Sequence, residues 1–176
     1  AALADAGYDA VYITEHDAVW SDRELEKLRR KVPGILIFPG IERSLEAPGG
    51  THLLILGTND EAYLESEDAR EIVDRARRRK HLTILAHPHR WPGGDGILWA
   101  GIYPDALEAR SFNQDAEAGE RTEAVGENLG LPRVYAGDTH ALHFVDRFWI
   151  ETARPLVEAG DIYSIVRERA YENRTA

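Results

Sequence analysis

Ile84-Leu85-Ala86-His87-Pro88-His89-Arg90 decides how this chain is read. A short apolar run ends abruptly in two histidines separated by a proline. Read as a buried strand, residues 83–86 deliver His87 to the strand's carboxyl end, where the chain leaves the sheet. Pro88 has no N–H to give a ladder and biases His87 toward an extended backbone, so the strand is expected to stop there.

The same pattern recurs on both sides. Residues 9–14 read as a strand ending at Glu15-His16-Asp17. Ser21-Asp22-Arg23-Glu24 is a capping box that opens a charged helix to about Val32, ended by Pro33-Gly34. Residues 35–40 form the next strand, tipped by Glu42-Arg43. A turn at Pro48-Gly49-Gly50 leads into Thr51-His52-Leu53-Leu54-Ile55-Leu56-Gly57, where the histidine opens the apolar run instead of closing it. Ser66 is read as the cap of a second helix, running to about Lys80.

Beyond the central stretch, residues 91–101 read as a Gly-rich loop and residues 105–109 as a short strand ending near Asn113. Residues 117–129 are helical, stopped by Gly130, and residues 133–137 form a strand tipped by Asp138-Thr139-His140. Residues 148–151 are read as a final strand, and Asp161 as the cap of a C-terminal helix to about Tyr171. Residues 1–6 read as the tail of a helix stopped by Gly7, too short to stand alone, so further chain is expected before it.

Strands alternating with helices on short connections predict one α/β domain over 1–176 with a mainly parallel sheet. In such folds functional residues gather at the carboxyl ends of the strands. His16, Glu42, His87, Asp138 and His140 all fall at such ends.

Composition narrows the chemistry. The 176 residues carry 21 basic and 31 acidic side chains, a net charge of −10, which argues against a sequence-tolerant duplex nucleic-acid binder. A phosphorylated substrate stays open, because bound cations reverse a local field. With no cysteine there is neither a disulfide nor a thiolate site, so a metal here must use His, Asp and Glu. That usage is compatible with a cytoplasmic location. No apolar run approaches the roughly 20 residues that span a bilayer. Neither a phosphate-binding P-loop nor a Gly-x-Ser-x-Gly elbow is present.

Taken singly, each candidate has a plain alternative. Asp138 and His140 lie on one side of an extended segment and can grip a cation, or else Asp138 caps the next segment and His140 is merely exposed. Glu42 reads as a ligand or as a solvated loop acid. His16, between two acids, reads as a ligand or as a surface residue. His52 reads as a ligand or as a core histidine. His87 is the strongest single candidate, while His89, Arg43 and Arg90 read as phosphate contacts or exposed loop residues. His81, near a helix end, is read as structural.

As a set, these motifs resemble the PHP (polymerase and histidinol phosphatase) domain. Thr14-Glu15-His16 is similar to its Thr-Asp-His, Gly40-Ile41-Glu42 to its Gly-x-Glu, and Thr51-His52-Leu53-Leu54 to its His-opened strand. Ala86-His87-Pro88 is similar to its His-Pro, residues 105–113 to its next strand and Asn, and Gly137-Asp138-Thr139-His140 to its late Gly-Ser-Asp-x-His. The resemblance implies a distorted seven-stranded β/α barrel with two or three manganese, zinc or iron ions at its carboxyl face. It assigns ligation to His16, Glu42, His52, His87, Asp138 and His140. Glu42 would bridge two cations, and His16 and His140 would share one. Glu42, His87 and Asp138 would then stand closest to the chemistry.

Glu15 replaces the family's Asp, and the family's N-terminal strand with its His-x-His has no counterpart here. The implied activity is metal-dependent hydrolysis of a nucleotide, a short oligonucleotide or a small phosphorylated metabolite, with Arg43 or Arg90 on the phosphate. Two alternatives stand beside it: a metal-dependent amidohydrolase, and a degenerate, non-catalytic binding or scaffold domain.

Overall fold

Ser21 opens the first long helix as its chemistry demands. Its hydroxyl accepts the Glu24 N–H at 3.4 Å while the Glu24 carboxylate accepts the Ser21 N–H at 2.9 Å, which fixes the start of α2 (Asp22–Lys31). The computed structural model describes residues 2–46, 50–145 and 147–176. Pro48 and Gly49 of the expected turn lie outside the described residues, as does Ala1 of the expected first helix.

In chain order the elements are α1 (Ala2–Asp5), β1 (Ala10–His16), α2, β2 (Leu36–Leu45), β3 (Thr51–Leu56), α3 (Ala69–Arg79) and β4 (Leu82–Ala86). They continue with α4 (Gly96–Trp99), β5 (Ala106–Arg110), α5 (Ala116–Leu129), β6 (Arg133–Tyr135), β7 (Phe148–Thr152), α6 (Asp161–Arg167) and β8 (Tyr171–Thr175). The Gly-rich loop thus holds a single helical turn, α4. The cap of α3 is Asp68, not Ser66: the Asp68 carboxylate accepts the N–H groups of Arg70 and Glu71 from the position one residue before the helix. Ser66 sits outside, donating to Glu71 and accepting the Asp68 N–H.

Six strands form one curled sheet, a half-barrel, in the order β1-β2-β3-β4-β5-β6. The sheet is more mixed than expected. β1–β2, β4–β5 and β5–β6 are parallel, but β3 runs antiparallel to both β2 and β4. The physical reason is the short link from Leu45 to Thr51, too few residues for a crossover, so β3 must turn back on β2.

The predicted seventh strand does not join this sheet; β7 pairs antiparallel with β8 in a separate ribbon. The expected C-terminal helix accordingly ends early, at Arg167. Arg169 turns left-handed (φ +57°), and the following residues find backbone partners in β7. Asp161 does not cap it; Gly160 holds that position, and the Asp161 carboxylate accepts the Val157 and Glu158 N–H groups. The ribbon docks on β6 through side chains: Asn173 accepts the Tyr135 N–H at 2.9 Å, and Tyr171 donates to the Arg133 carbonyl at 2.7 Å.

Strand alternation sorts the sheet into two faces. Ile41, Leu53, Ile55, Leu85 and Leu107 are fully buried on one face against Ile72, Val73 and Ala76 of α3. Each such side chain contributes about 1.5–3 kcal/mol by leaving water. The other face carries Leu54, Leu56, Ile84 and Ala106 against Ile162 and Val166 of α6. Continuing along that second face by steps of two gives Glu42, His52 and Glu108, so an apolar floor underlies a polar rim. Among the described residues no helix is long and apolar enough to cross a membrane.

Candidate metal centre

Register brings the first ligand types together. His16 is the direct partner of Glu42 across β1–β2, and His52 pairs with Ser44 on β2 and Ala86 on β4. Because β3 runs antiparallel, its first residues reach the sheet edge where β1 and β4 end, which is why His52 opens its apolar run. β2 continues through Glu42 to Leu45 instead of stopping at Gly40, so Glu42 is an in-strand residue between two neighbours. Close approach here requires Gly40: a Cβ would stand 2.8 Å from Thr14 Cγ2 and 3.0 Å from Leu56 Cδ2.

Glu42 is the hub. Its Oε1 lies 2.9 Å from His52 Nδ1 and 3.5 Å from His87 Nε2, and its Oε2 lies 3.6 Å from His16 Nε2. His87 Nε2 in turn lies 3.9 Å from Asp138 Oδ2. Burial alone would push the Glu42 carboxyl up. The adjoining His52 and His87 rings and the charge of His16 outweigh that and bring it down to about 2. Trp91 packs edge-on against the rings of both His52 and His87, at 5.6 Å from each.

His87 departs from the expected backbone. Its φ is +30°, in the left-handed region and not the extended one, and the chain reverses there at once: Arg90 N–H closes a turn on the His87 carbonyl at 3.0 Å, with Pro88 at the second position. Asp17 and Asp138 are also left-handed, at φ +49° and +43°. Left-handed backbone at non-glycine residues is costly and gathers at functional sites. Asn113 holds Asp138, donating to its carboxylate and to its carbonyl.

Sequence reasoning missed Glu108. It is 1% exposed, and its Oε2 accepts the His87 backbone N–H at 2.8 Å. Burial and then the nearby Asp138 charge push its carboxyl well above the ordinary carboxylate range. The available signal was an acid in the middle of an apolar strand, Ala106-Leu107-Glu108-Ala109, on the same face as its buried neighbours.

Among the described residues two groups of ligand atoms come close enough to hold an ion: His16, Glu42 and His52, and His87, Glu108 and Asp138. His140 belongs to neither among the described residues. Its side chain is 64% exposed and lies 3.0 Å from the Asp138 carbonyl and 3.4 Å from the Asp138 carboxylate.

Arg43 is engaged elsewhere, with its guanidinium on the Asp17 carboxylate and the Ser66 carbonyl. Arg90 is exposed and stacks on Trp91 at 4.3 Å, beside the two rings. His89 turns away from the cluster to Thr122 at 2.8 Å and Asp95 at 3.3 Å, and His81 bonds the Tyr63 hydroxyl at 2.8 Å.

No family model matches this sequence, and no curated protein matches it. Solved structures do. PsfC from Pseudomonas syringae PB-5123 superposes with a TM-score of 0.68 at 19% identity, over 99% of this chain and 82% of that one. A two-domain protein from Bacteroides vulgatus ATCC 8482, containing a predicted PHP-like metal-dependent phosphoesterase, gives 0.68 at 18% identity over 96% of this chain and 56% of that one. An amidohydrolase from Chromobacterium violaceum gives 0.57 at 15% identity, over 79% and 80%. At these identities the likeness is one of fold.

The residues present fit a divalent cation. His52 Nδ1 is buried without an aligned hydrogen-bond partner: the 2.9 Å approach of Glu42 Oε1 is close in distance but off the line of an N–H bond. A ring nitrogen left this way, facing a carboxylate held ionised, is the donor arrangement that hard and borderline cations accept. Glu42 and His52 would hold such an ion with His16, and Asp138 and His87 would hold a second.

Proposed function

We propose that this chain is a metal-dependent phosphoesterase acting on a small phosphorylated substrate or short oligonucleotide. The observation that carries the reading is the Glu42 carboxylate, which three imidazoles approach from three different positions along the sheet: His16 at the end of β1, His52 at the start of β3 and His87 after β4. A carboxylate kept ionised at that junction would hold a cation together with His16 and His52.

Divalent cations held there supply Lewis acidity toward water and toward phosphoryl oxygens. The chain's own part is to place and orient. Glu42 and Asp138 fix negative charge on either side of His87, Trp91 covers the His52 and His87 rings, and Asn113 orients Asp138. In this reading Arg90, exposed and stacked on Trp91, would meet a phosphate oxygen. The net charge of −10 favours a small substrate over duplex nucleic acid. The fold shared with an amidohydrolase keeps hydrolysis of a C–N bond as the second reading.

The test is turnover of an aryl phosphate and of a dinucleotide by the manganese-loaded protein, with metal content measured. Manganese-dependent release of product is expected. A metal-loaded protein that releases product from neither, or that turns over only lactones and amides, overturns the reading.

A further inference from the structure

His87 keeps its unusual backbone because of what takes its N–H. The β4–β5 register pairs Ile84 with Ala106 and Leu85 with Leu107, so the next step would set Ala86 opposite Glu108. At that point the ladder is abandoned. The His87 N–H goes to the Glu108 carboxylate, and the Glu108 carbonyl accepts the Gln114 side-chain amide at 2.9 Å.

On the other side of β5 the register with β6 shifts in the manner of a bulge: Glu108 pairs with Val134 and Arg110 with Tyr135, so Ala109 is the extra residue. A bulge bends its strand and re-aims the side chains beside it. Here it adjoins a carboxylate directed at a neighbouring strand's end.

We infer that Glu108 is a positioning residue, whose carboxylate anchors His87 in the left-handed turn that aims its imidazole at Glu42 and Asp138. The inference rests on reading His87 as a metal-facing residue. A pre-proline residue with φ +30° is disfavoured by its own sterics. It persists only where surrounding bonds over-determine it, and here two do: the Arg90 N–H on the His87 carbonyl and the Glu108 oxygen on its N–H. The second is fully buried, where a hydrogen bond is stronger than in water. Burying a carboxylate is costly, so an apolar residue would fill the same space more cheaply if packing were its only duty.

The experiment compares Glu108→Met, similar in size without the acceptor, with Glu108→Gln, which keeps an acceptor oxygen. In Glu108→Met the His87 Cα chemical shift is expected to leave its left-handed value in the metal-free protein, and manganese affinity by calorimetry to fall by about 10–100-fold. Glu108→Gln is expected to preserve both. An unchanged His87 shift in Glu108→Met overturns the inference.

So does a Glu108→Gln protein that loses manganese as fully as Glu108→Met while its His87 shift holds, since the carboxylate is then itself a ligand. If Glu108→Met does not fold, the natural protein decides. A scalar coupling between the His87 amide nitrogen and the Glu108 carboxylate carbon supports the anchor, and its absence overturns it. These readouts use no turnover, so a chain that binds manganese yet cleaves no phosphoester sinks the functional reading alone.

Discussion

Glu42 and His52 are diagonal neighbours on one face of the β2–β3 pair: Glu42 stands opposite Leu54, two residues beyond His52, and the two side chains meet at 2.9 Å. Diagonal pairs of long side chains are within reach across an antiparallel ladder. Slipping β3 by one residue would turn His52 to the other face, and reversing it would carry His52 to the opposite end of the sheet.

Removal of Glu42 should therefore act directly on the ion position it shares with His16 and His52. Glu42→Ala is expected to lower manganese affinity by more than the about 10–100-fold typical of an outer partner. His140→Ala, at an exposed residue outside both ligand groups, is expected to cost less. Calorimetric titration of the two variants checks the order, and equal losses would contradict the arrangement.

Trp91 should stabilise the cluster by contact. It meets two imidazole rings edge-on, and such pairs contribute about 0.5–1.5 kcal/mol each. Trp91→Ala is expected to destabilise the metal-free protein by about 1–3 kcal/mol and Trp91→Phe by less, read from urea midpoints.

Gly40→Ala should be destabilising by about 1–3 kcal/mol, because the added methyl meets Thr14 Cγ2 and Leu56 Cδ2 at sub-contact distance. Thr14→Ser removes the nearer of those methyls. In the Thr14→Ser, Gly40→Ala double variant part of the loss is expected to return, as a coupling in a double-mutant cycle. Strict additivity would show that the clash lies elsewhere.

His81 should make stability depend on pH away from the metal cluster. Burial first, and then the Arg79 charge, hold it below its ordinary 6.5. The native chain thus binds fewer protons there than the unfolded chain does. This contribution is complete above 6.5 and is lost as pH falls from there through the native value. His81→Gln keeps a partner for the Tyr63 hydroxyl and removes the titration. Denaturant melts between about pH 5 and 7 are expected to show a shallower loss of stability in the variant.

Much of this was legible in the sequence because it is local. The Ser21 capping box, the left-handed Gly130 that ends α5 and the alternating apolar strands each depend on a few adjacent residues. Non-local pairing was not legible. Nothing in residues 148–152 distinguishes a seventh strand of the sheet from one half of a ribbon, since that choice depends on whether residues 171–175 continue a helix or turn back after Arg169. Ser66 and Asp68 are both competent caps, and it is the Asp68 carboxylate that accepts the Arg70 and Glu71 N–H groups.

What the sequence determined by itself was the inventory: histidines and acids at the ends of short apolar runs, with no thiolate to compete. It set Glu42 just beyond one apolar run and His52 at the start of another, and Pro88 ended a strand beside His87. Tertiary structure decided which of these meet. Through the antiparallel course of β3 it brought His52 to the edge shared by His16 and His87, and it left His140, beyond β6, exposed. It also put Glu108 beneath His87. A carboxylate's burial and its partners are properties of neighbouring strands, and those are joined by register and bulge across the sheet, not by spacing along the chain.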